Sequence, residues 1–165
     1  MRSGAHPADA EFNQMIGLLQ RVTESSVTVD GETIGKIGKG LMVLIGIERN
    51  DNEHSAKRLL ERILSYRVFP DKAGKMNLSL IDIEGGLLLI PQFTLAADTS
   101  QGTRPGFSRA ATPQVAKQLY ADFVMFANKD YSNVAHGKFG ADMQVHLIND
   151  GPVTFWLRVE PKQNR

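Results

Sequence analysis

The sequence predicts an α+β protein of one domain, with about eight strands and two helices. Short apolar or β-branched runs, separated by Asp-Gly, Gly-Lys-Gly and Gly-Gly breaks, indicate the strands. Two longer stretches carry apolar side chains at the three- and four-residue spacing of amphipathic helices. The length of 165 residues suits one domain that buries a sizeable core.

Strands dominate the first third of the chain. Residues 16–22 are mostly apolar and residues 26–29 are largely β-branched, so each run predicts a strand. Asp30-Gly31 follows as a hairpin signal, and residues 33–37 form the returning strand.

A central strand and the first helix come next. Residues 41–47 form a continuous apolar run, which predicts a buried strand. Asp51 or Asn52 is suited to cap the following helix, which should end before Pro70. The predicted buried face of this helix consists of Leu59, Leu60, Ile63 and Leu64.

The middle of the chain predicts two more strands, a long loop and the second helix. Residues 78–81 and 87–93 indicate the strands, and residues 96–111 form a loop rich in hydroxyl groups. Thr112 is a predicted N-cap for a helix over about residues 113–128, with proline at its first position. One face of this helix carries Val115, Leu119, Phe123 and Phe126.

The last strands are predicted at residues 134–139, 143–148 and 153–159, with a turn between the final two. We divide the chain into a flexible N-terminal extension (residues 1–14), one domain (15–161) and a short tail (162–165). The extension is polar and without periodicity, which suggests a leader or an upstream start before a natural start at Met15.

Composition excludes several kinds of site. The chain has no cysteine, which rules out disulfides, thiolate metal sites and a cysteine nucleophile. Its net charge of +1 means that any contact with nucleic acid must be local. No stretch approaches the roughly 20 apolar residues of a membrane span, and no signal-peptide pattern is present. These features favour a cytoplasmic protein without a membrane partner.

Common catalytic motifs are missing from the sequence. There is no G-x-S-x-G elbow, no phosphate-binding loop and no H-E-x-x-H zinc motif. No motif pairs His136 with a serine or an aspartate, and the strand position of His146 favours a surface role. A serine triad is therefore not predicted.

Two polar segments remain as candidate sites. Gln92 and Thr94 interrupt an apolar strand and would share one face, although they also suit ordinary hydrogen-bonded strand positions. Residues 149–154 suit a hairpin turn; alternatively, Gly151 and Pro152 hold a special backbone geometry that aims carbonyl groups at a ligand. The residue pattern alone favours ordinary strand positions for Gln92 and Thr94 and a hairpin turn for residues 149–154.

Longer stretches make the chain resemble the D-aminoacyl-tRNA deacylases, also called D-tyrosyl-tRNA deacylases. Residues 92–95 and 149–154 match the two signature motifs of that family. Pro91 is a departure, because the first signature normally begins with serine. Further matching stretches are residues 15–22, 26–31, 74–79, 104–105, 107–108 and 139–143.

The resemblance implies a homodimer with an antiparallel, β-barrel-like fold and two active sites at the subunit interface. In such a dimer Gly151 and Pro152, joined by a cis peptide, reach from one subunit into the pocket of the other. Gln92, Phe93 and Thr94 would line the pocket that receives the 3′-terminal adenosine of aminoacyl-tRNA. The implied supporting residues are Arg21, which would steady the Gly-Pro turn, and Asn149, Thr154 and Met143.

The implied reaction is hydrolysis of the ester between a D-amino acid and tRNA, with L-amino acids rejected by clashes. Glycine has no side chain to clash, so glycyl-tRNA is an expected second substrate. The neighbouring ribose hydroxyl can assist attack of water on the activated ester, so Thr94 is expected to position substrate rather than act as a nucleophile. No metal or organic cofactor is implied.

Two other functions remain open from the residues. A non-catalytic RNA-binding module would use basic side chains such as Arg104, Arg109 and Lys117. A purely structural β-rich dimer would have no pocket at the turn formed by Gly151 and Pro152.

Overall fold

One long strand organises the sheet in the computed structural model, which describes residues 14–160. This strand, β1 (Met15–Val29), pairs antiparallel with β2 (Glu32–Ile37), β3 (Gly40–Gly46) and the last strand, β8 (Gln144–Val159). The predicted domain boundaries at residues 14–15 and 161–162 fall at or beyond the ends of the described residues. The extension before Gln14 and the tail after Glu160 lie outside them.

The other side of the sheet is parallel. Strand β3 pairs with β6 (Gly86–Pro91), and β6 pairs with β7 (Val134–His136), both in parallel register. The order is β2-β1-β3-β6-β7, and a Cβ atom added at Gly35 of β2 would lie 3.2 Å from the backbone oxygen of His136 in β7. This close approach nearly closes the sheet, which confirms the predicted α+β, barrel-like domain. The expectation of purely antiparallel pairing is wrong for β6, which pairs in parallel with both of its neighbours.

Both main helices lie close to their predicted positions. Helix α1 (Glu53–Ser65) begins after Asn52, whose side chain accepts from the Ser55 N–H group. The four residues predicted for its buried face are buried. A short helix, α2 (Leu80–Ile83), follows, and α3 (Pro113–Asp130) begins after the N-cap Thr112.

The sequence prediction was wrong for residues 78–81, which end the short strand β5 (Met76–Leu78) and begin helix α2. The cause is a capping box: Asp82 N–H donates to Ser79 Oγ at 3.2 Å, and Ser79 N–H donates to Asp82 Oδ2 at 2.8 Å. Strand β5 pairs instead with the two-residue strand β4 (Phe69–Pro70).

Two predicted strand breaks are absent. Residues 23–25 belong to β1, and residues 149–152 belong to β8, because the two strands pair along nearly their whole length. Register shifts opposite residues 20–24 absorb the irregular 149–152 segment within the ladder. The segment is thus an irregularity in a paired strand rather than a hairpin turn.

Helix α3 differs from its prediction on one side. Leu119 and Phe123 are buried as expected, whereas Val115 is exposed.

The main core lies between the sheet and helices α1 and α3. None of the helices among residues 14–160 has the length and apolar character required to cross a bilayer.

Candidate active site

A cavity of about 730 Å³ opens where strand β6 ends. Its walls come from the end of β6, the loop before α3, the start of α3 and the segment that precedes β8. The lining residues are Ile90, Pro91, Gln92, Phe93, Phe107, Ala110, Ala111, Thr112, Pro113, Ala116, Phe139, Gly140, Ala141, Met143 and Val145. None of these residues has an ionisable side chain.

The first predicted motif forms a tight turn at the cavity. Strand β6 ends at Pro91, not at Phe93 as predicted, and a 3₁₀ turn (Phe93–Ala96) follows. Gln92 N–H donates to the Ile45 carbonyl at 2.8 Å, and the Gln92 side-chain amide donates to Thr94 Oγ1. Gln92 and Thr94 are therefore brought together by a turn rather than by strand alternation.

Phe93 presents its ring at the cavity mouth. The side chain is 62% exposed and lies against Phe107, with ring centroids 5.4 Å apart and ring planes 38° apart. Exposed, paired aromatic rings offer a surface on which a nucleobase can stack. Thr94, in contrast, is not among the residues that line the cavity.

Tyr120 of α3 joins the strands behind the cavity. Its hydroxyl lies 2.9 Å from the Gly137 carbonyl oxygen and 3.2 Å from the Leu89 carbonyl oxygen, and it donates its proton between them. Burial raises the pKa of Tyr120, so the hydroxyl stays protonated and remains a donor.

Replacing Tyr120 with phenylalanine should lower the free energy of unfolding by about 1 kcal/mol. The expected loss is that of one hydrogen bond, because the Leu89 oxygen also accepts from Gly137 N–H at 2.8 Å. Urea denaturation of parent and variant measures the difference. If the urea midpoint and the dependence of the unfolding free energy on urea were unchanged, the Tyr120 hydroxyl would not stabilise the cavity wall.

The second predicted motif is the irregular segment of β8 at residues 149–154, called the Gly151 turn below. The peptide between Gly151 and Pro152 is cis, as the family resemblance implied, and the Gly151 φ angle is +138°. Arg21 Nε donates to the Asp150 carbonyl at 3.0 Å, and Arg21 Nη1 donates to the Val68 carbonyl at 2.8 Å.

Two polar side chains close the same turn. Asn149 Oδ1 accepts from Val153 N–H at 2.9 Å, and Asn149 Nδ2 donates to Thr154 Oγ1 at 3.1 Å. The turn is thus held by side chains on both of its flanks, and Gly151 and Pro152 themselves are exposed.

The predicted residues fall into two groups within one chain. Gln92, Phe93 and Met143 line the cavity, whereas Gly151 and Pro152 are absent from its lining. Arg21, Asn149 and Thr154 contact the segment around Gly151 instead. One chain therefore contains a cavity and a separate, exposed turn, and their roles remain predictions.

Sequence reasoning assigned no role to several lining residues. Phe107, Phe139 and Ala141 lie in stretches that matched the family, and that match was the signal that could have placed them near the site. Tyr120 had no sequence signal beyond its place in a helix. Among residues 14–160 no three His, Asp or Glu side chains are grouped as metal ligands would be.

Comparison with known proteins identifies the family. The family model described as D-Tyr-tRNA(Tyr) deacylase matches residues 18–158. A D-aminoacyl-tRNA deacylase of Janthinobacterium sp. (strain Marseille) is 61% identical over 147 residues, which span 89% of this chain and 99% of that protein. Its counterpart in Citrobacter koseri is 57% identical over 145 residues, which span 88% of this chain and 100% of that protein.

Solved structures share the fold of this chain. A structure titled "c-Myc DNA Unwinding Element Binding Protein" has a TM-score of 0.83 and 40% identity, covering 89% of this chain and 99% of that one. A structure titled as a probable eukaryotic D-amino acid tRNA deacylase shares the fold, with a TM-score of 0.79 and 16% identity over 88% of this chain and 100% of that one. Given the family-model match and the identity to relatives along nearly their whole length, the chain belongs to the D-Tyr-tRNA(Tyr) deacylase family.

Proposed function

We propose that the cavity beside Phe93 holds the 3′ end of D-aminoacyl-tRNA while the enzyme hydrolyses the aminoacyl ester, the reaction for which its family is named. The observation that carries this assignment is a cavity without an ionisable side chain in its lining. Such a site suits a substrate that is already activated and needs positioning more than acid–base help.

The ester supplies most of its own chemistry. An aminoacyl ester is reactive, and the adjacent ribose hydroxyl of the terminal adenosine assists attack of water. The first N–H groups of a helical turn have no acceptor within that turn, so those at the start of the 3₁₀ turn can donate to the oxyanion. Gln92 N–H is not one of these donors, because it binds the Ile45 carbonyl.

Aromatic side chains give the terminal adenosine a place to bind. The base stacks on the exposed ring of Phe93, which Phe107 supports from the side. Met143 and Val145 supply further apolar contacts in the cavity lining. The nucleoside is thus recognised by its shape and by base stacking, and the aminoacyl ester lies at the 3₁₀ turn.

Selection between D- and L-residues comes from a second subunit in this proposal. Gly151 and Pro152 are exposed, held by side-chain hydrogen bonds on their flanks and absent from the lining of their own cavity, as a cross-subunit element should be. In a two-fold dimer each turn enters the cavity of its partner. Rigid backbone there clashes with an L side chain, whereas a D side chain points elsewhere and glycine has none.

This activity would remove D-amino acids, and mischarged glycine, from tRNA before translation uses them. The enzyme would act on aminoacyl-tRNA in the cytoplasm, where charged tRNA is consumed. No cofactor enters the proposed reaction, since the ribose hydroxyl, water and backbone donors provide the required groups.

Thr94→Ala should lower kcat by about fivefold or less, the effect of one lost hydrogen bond. Thr94 lies outside the cavity lining and accepts from the Gln92 side chain, so its role is to fix the turn. Single-turnover hydrolysis of D-tyrosyl-tRNA measures the change. A loss on the order of 10⁵, together with a trapped acyl-enzyme in the parent, would identify Thr94 as a nucleophile.

The function itself is tested with tRNA charged with D-tyrosine, L-tyrosine or glycine. We expect release of free D-tyrosine and glycine and survival of the L-tyrosyl ester. A tRNA-binding module would protect all three esters from spontaneous hydrolysis, and that result would refute the proposed function. Equal hydrolysis of the D- and L-esters would refute the selection mechanism alone.

A further inference from the structure

Two carboxylates are buried next to the start of β1, and neither takes part in the proposed reaction. Glu48 is 6% exposed and Asp51 is 7% exposed, and both lie in the segment between β3 and α1. Asp51 Oδ2 accepts from Glu48 N–H at 2.7 Å. Asp51 Oδ1 is buried and accepts no hydrogen bond from any residue in the described part of the chain.

No positively charged group is among those that shift the pKa of Asp51. Burial is the main cause that raises its pKa to about 7, and the negative charge of Glu48 raises it further. The groups that lower this pKa are the N–H groups of Glu48 and Met15 and the hydroxyl of Ser55, none of which is charged. Burial also raises the pKa of Glu48, but the Gln14 N–H and the positive charges of Arg109 and Arg158 partly offset this increase.

The carboxylates face the backbone at the start of β1. Gln14 N–H donates to Glu48 Oε2 at 2.9 Å, and the Met15 N–H is near enough to Asp51 to lower its pKa. The Met15 side chain is 0% exposed and belongs to the main core, so this residue is an integral part of the fold. A positive charge on the Met15 nitrogen would therefore lie between two buried acceptors, one of which lacks a partner.

The relatives fit a chain that starts at this position. The 147 residues shared with the Janthinobacterium protein span 99% of its length, and the 145 shared with the Citrobacter protein span 100%. Each relative is therefore about 145 to 148 residues long, close to the 151 residues from Met15 to the end of this chain. In a chain that begins at Met15, the backbone nitrogen that faces Asp51 is an α-ammonium group.

We propose that Glu48 and Asp51 form a binding site for the α-ammonium group of Met15, in a form of this protein whose chain begins at that methionine. The ammonium group has three N–H donors, enough to bind Asp51 Oδ1 and to replace the Gln14 N–H at Glu48. A charge-assisted hydrogen bond to a buried carboxylate is stronger than the neutral amide contact that it replaces.

The test compares the 165-residue form with a form expressed from Met15, each with and without Asp51→Asn. At pH 7 the Met15 form should unfold at a temperature at least about 3 °C higher than the 165-residue form. The gain should disappear in the Asp51→Asn pair, since the asparagine keeps an acceptor for Glu48 N–H but carries no charge. Glu53→Gln, which changes an exposed carboxylate on α1, is the matched control and should leave the gain intact.

The pH dependence provides a second readout. The pKa of Asp51 is about 7 in the 165-residue form, above its ordinary value of 3.8. Stability from this group is thus complete below about pH 4 and is lost as pH rises through about 7. Between pH 5 and 8, the melting temperature of the 165-residue form should fall relative to its Asp51→Asn variant. The Met15 form should show less of this fall, since the ammonium group balances Asp51 beside the fixed charges of Glu48, Arg109 and Arg158.

The α-ammonium group itself gives the decisive signal. Its pKa in the Met15 form, followed by NMR or by pH-dependent labelling, should lie about one unit or more above the ordinary value of about 8. Glu48→Gln and Asp51→Asn should each move it back toward that value. An ordinary α-amino pKa, or a gain in melting temperature that survives Asp51→Asn, would overturn the proposal. If Asp51→Asn prevents folding, Glu48→Gln and N-terminal acetylation of the Met15 form carry the same comparison.

Discussion

Gly151→Ala is expected to lower kcat/KM for D-aminoacyl-tRNA by about a hundredfold or more, the effect of displacing a positioning group by about 1 Å. The Gly151 φ angle of +138° is one that an L side chain rarely adopts. An added Cβ would also lie 2.7 Å from Val153 Cγ2 and 3.0 Å from the Val153 backbone nitrogen. The turn must therefore move, and with it the surface that we propose discriminates D- from L-residues.

A glycine elsewhere separates this effect from a general loss of stability. Gly31 has a φ angle of +79° in the turn between β1 and β2, and an added Cβ there meets no atom within 4 Å. Gly31→Ala should thus lower stability by about 1 kcal/mol while leaving deacylation unchanged. The account fails if Gly151→Ala hydrolyses the D-ester at the parent rate and still spares the L-ester. Both variants are compared by D- and L-tyrosyl-tRNA hydrolysis and by thermal melting.

Ala141→Trp should abolish deacylation by filling the cavity. Ala141 lines the cavity and is only half-buried, so an indole ring can enter the cavity without disrupting the core. We expect kcat/KM to fall by at least about a hundredfold, equivalent to about 2.7 kcal/mol, because the indole ring would occupy the proposed adenosine site. Direct binding of an uncharged tRNA 3′-end analogue to parent and variant, together with thermal melting, checks that binding, rather than folding, has failed.

The neighbouring residue provides the control for this substitution. Asp142 is exposed and is absent from the cavity lining, so Asp142→Trp adds the same ring outside the cavity. Its activity should stay within about twofold of the parent. Equal losses in the two variants, or normal activity of Ala141→Trp, would show that the adenosine binds elsewhere.

The helices were predictable because their signals are local. Asn52 and Thr112 each accept from a backbone N–H three residues ahead, and apolar spacing marks which faces are buried. The capping box at Ser79 and Asp82 was equally local, but the apolar residues around it favoured the strand interpretation. Local apolar content, which correctly marked the buried helix faces, therefore gave a wrong strand prediction at residues 78–81.

The continuity of β1 and β8 could not be predicted locally. Polar residues 23–25 and the 149–152 segment look like breaks, and only the pairing of β1 with β8 along their length keeps both segments in strands. Arg21 shows the same dependence on distant partners, because its acceptors are carbonyls at Val68 and Asp150. Long-range pairing, rather than local propensity, decides these segments.

The candidate site was only partly predictable for a similar reason. Residue patterns favoured ordinary structural roles for Gln92, Thr94 and the Gly151 turn, and the family resemblance reversed that preference. The structure then placed Gln92 and Phe93 at a cavity whose remaining walls come from Ala111, Phe139 and other residues distant in sequence. Small and aromatic wall residues carry no chemical signature, so a sequence pattern alone does not identify them.

The cross-subunit site is tested most directly by a mixed dimer. Gly151→Ala and Ala141→Trp subunits, carrying different affinity tags, are produced together and the heterodimer is purified. If the turn of each subunit completes the cavity of its partner, one site of the heterodimer combines an open cavity with an intact turn. The heterodimer should then recover about half of the parent rate, although each homodimer is nearly inactive. Activity no greater than that of the homodimers would show that the cavity and the turn act within one chain, contrary to this account.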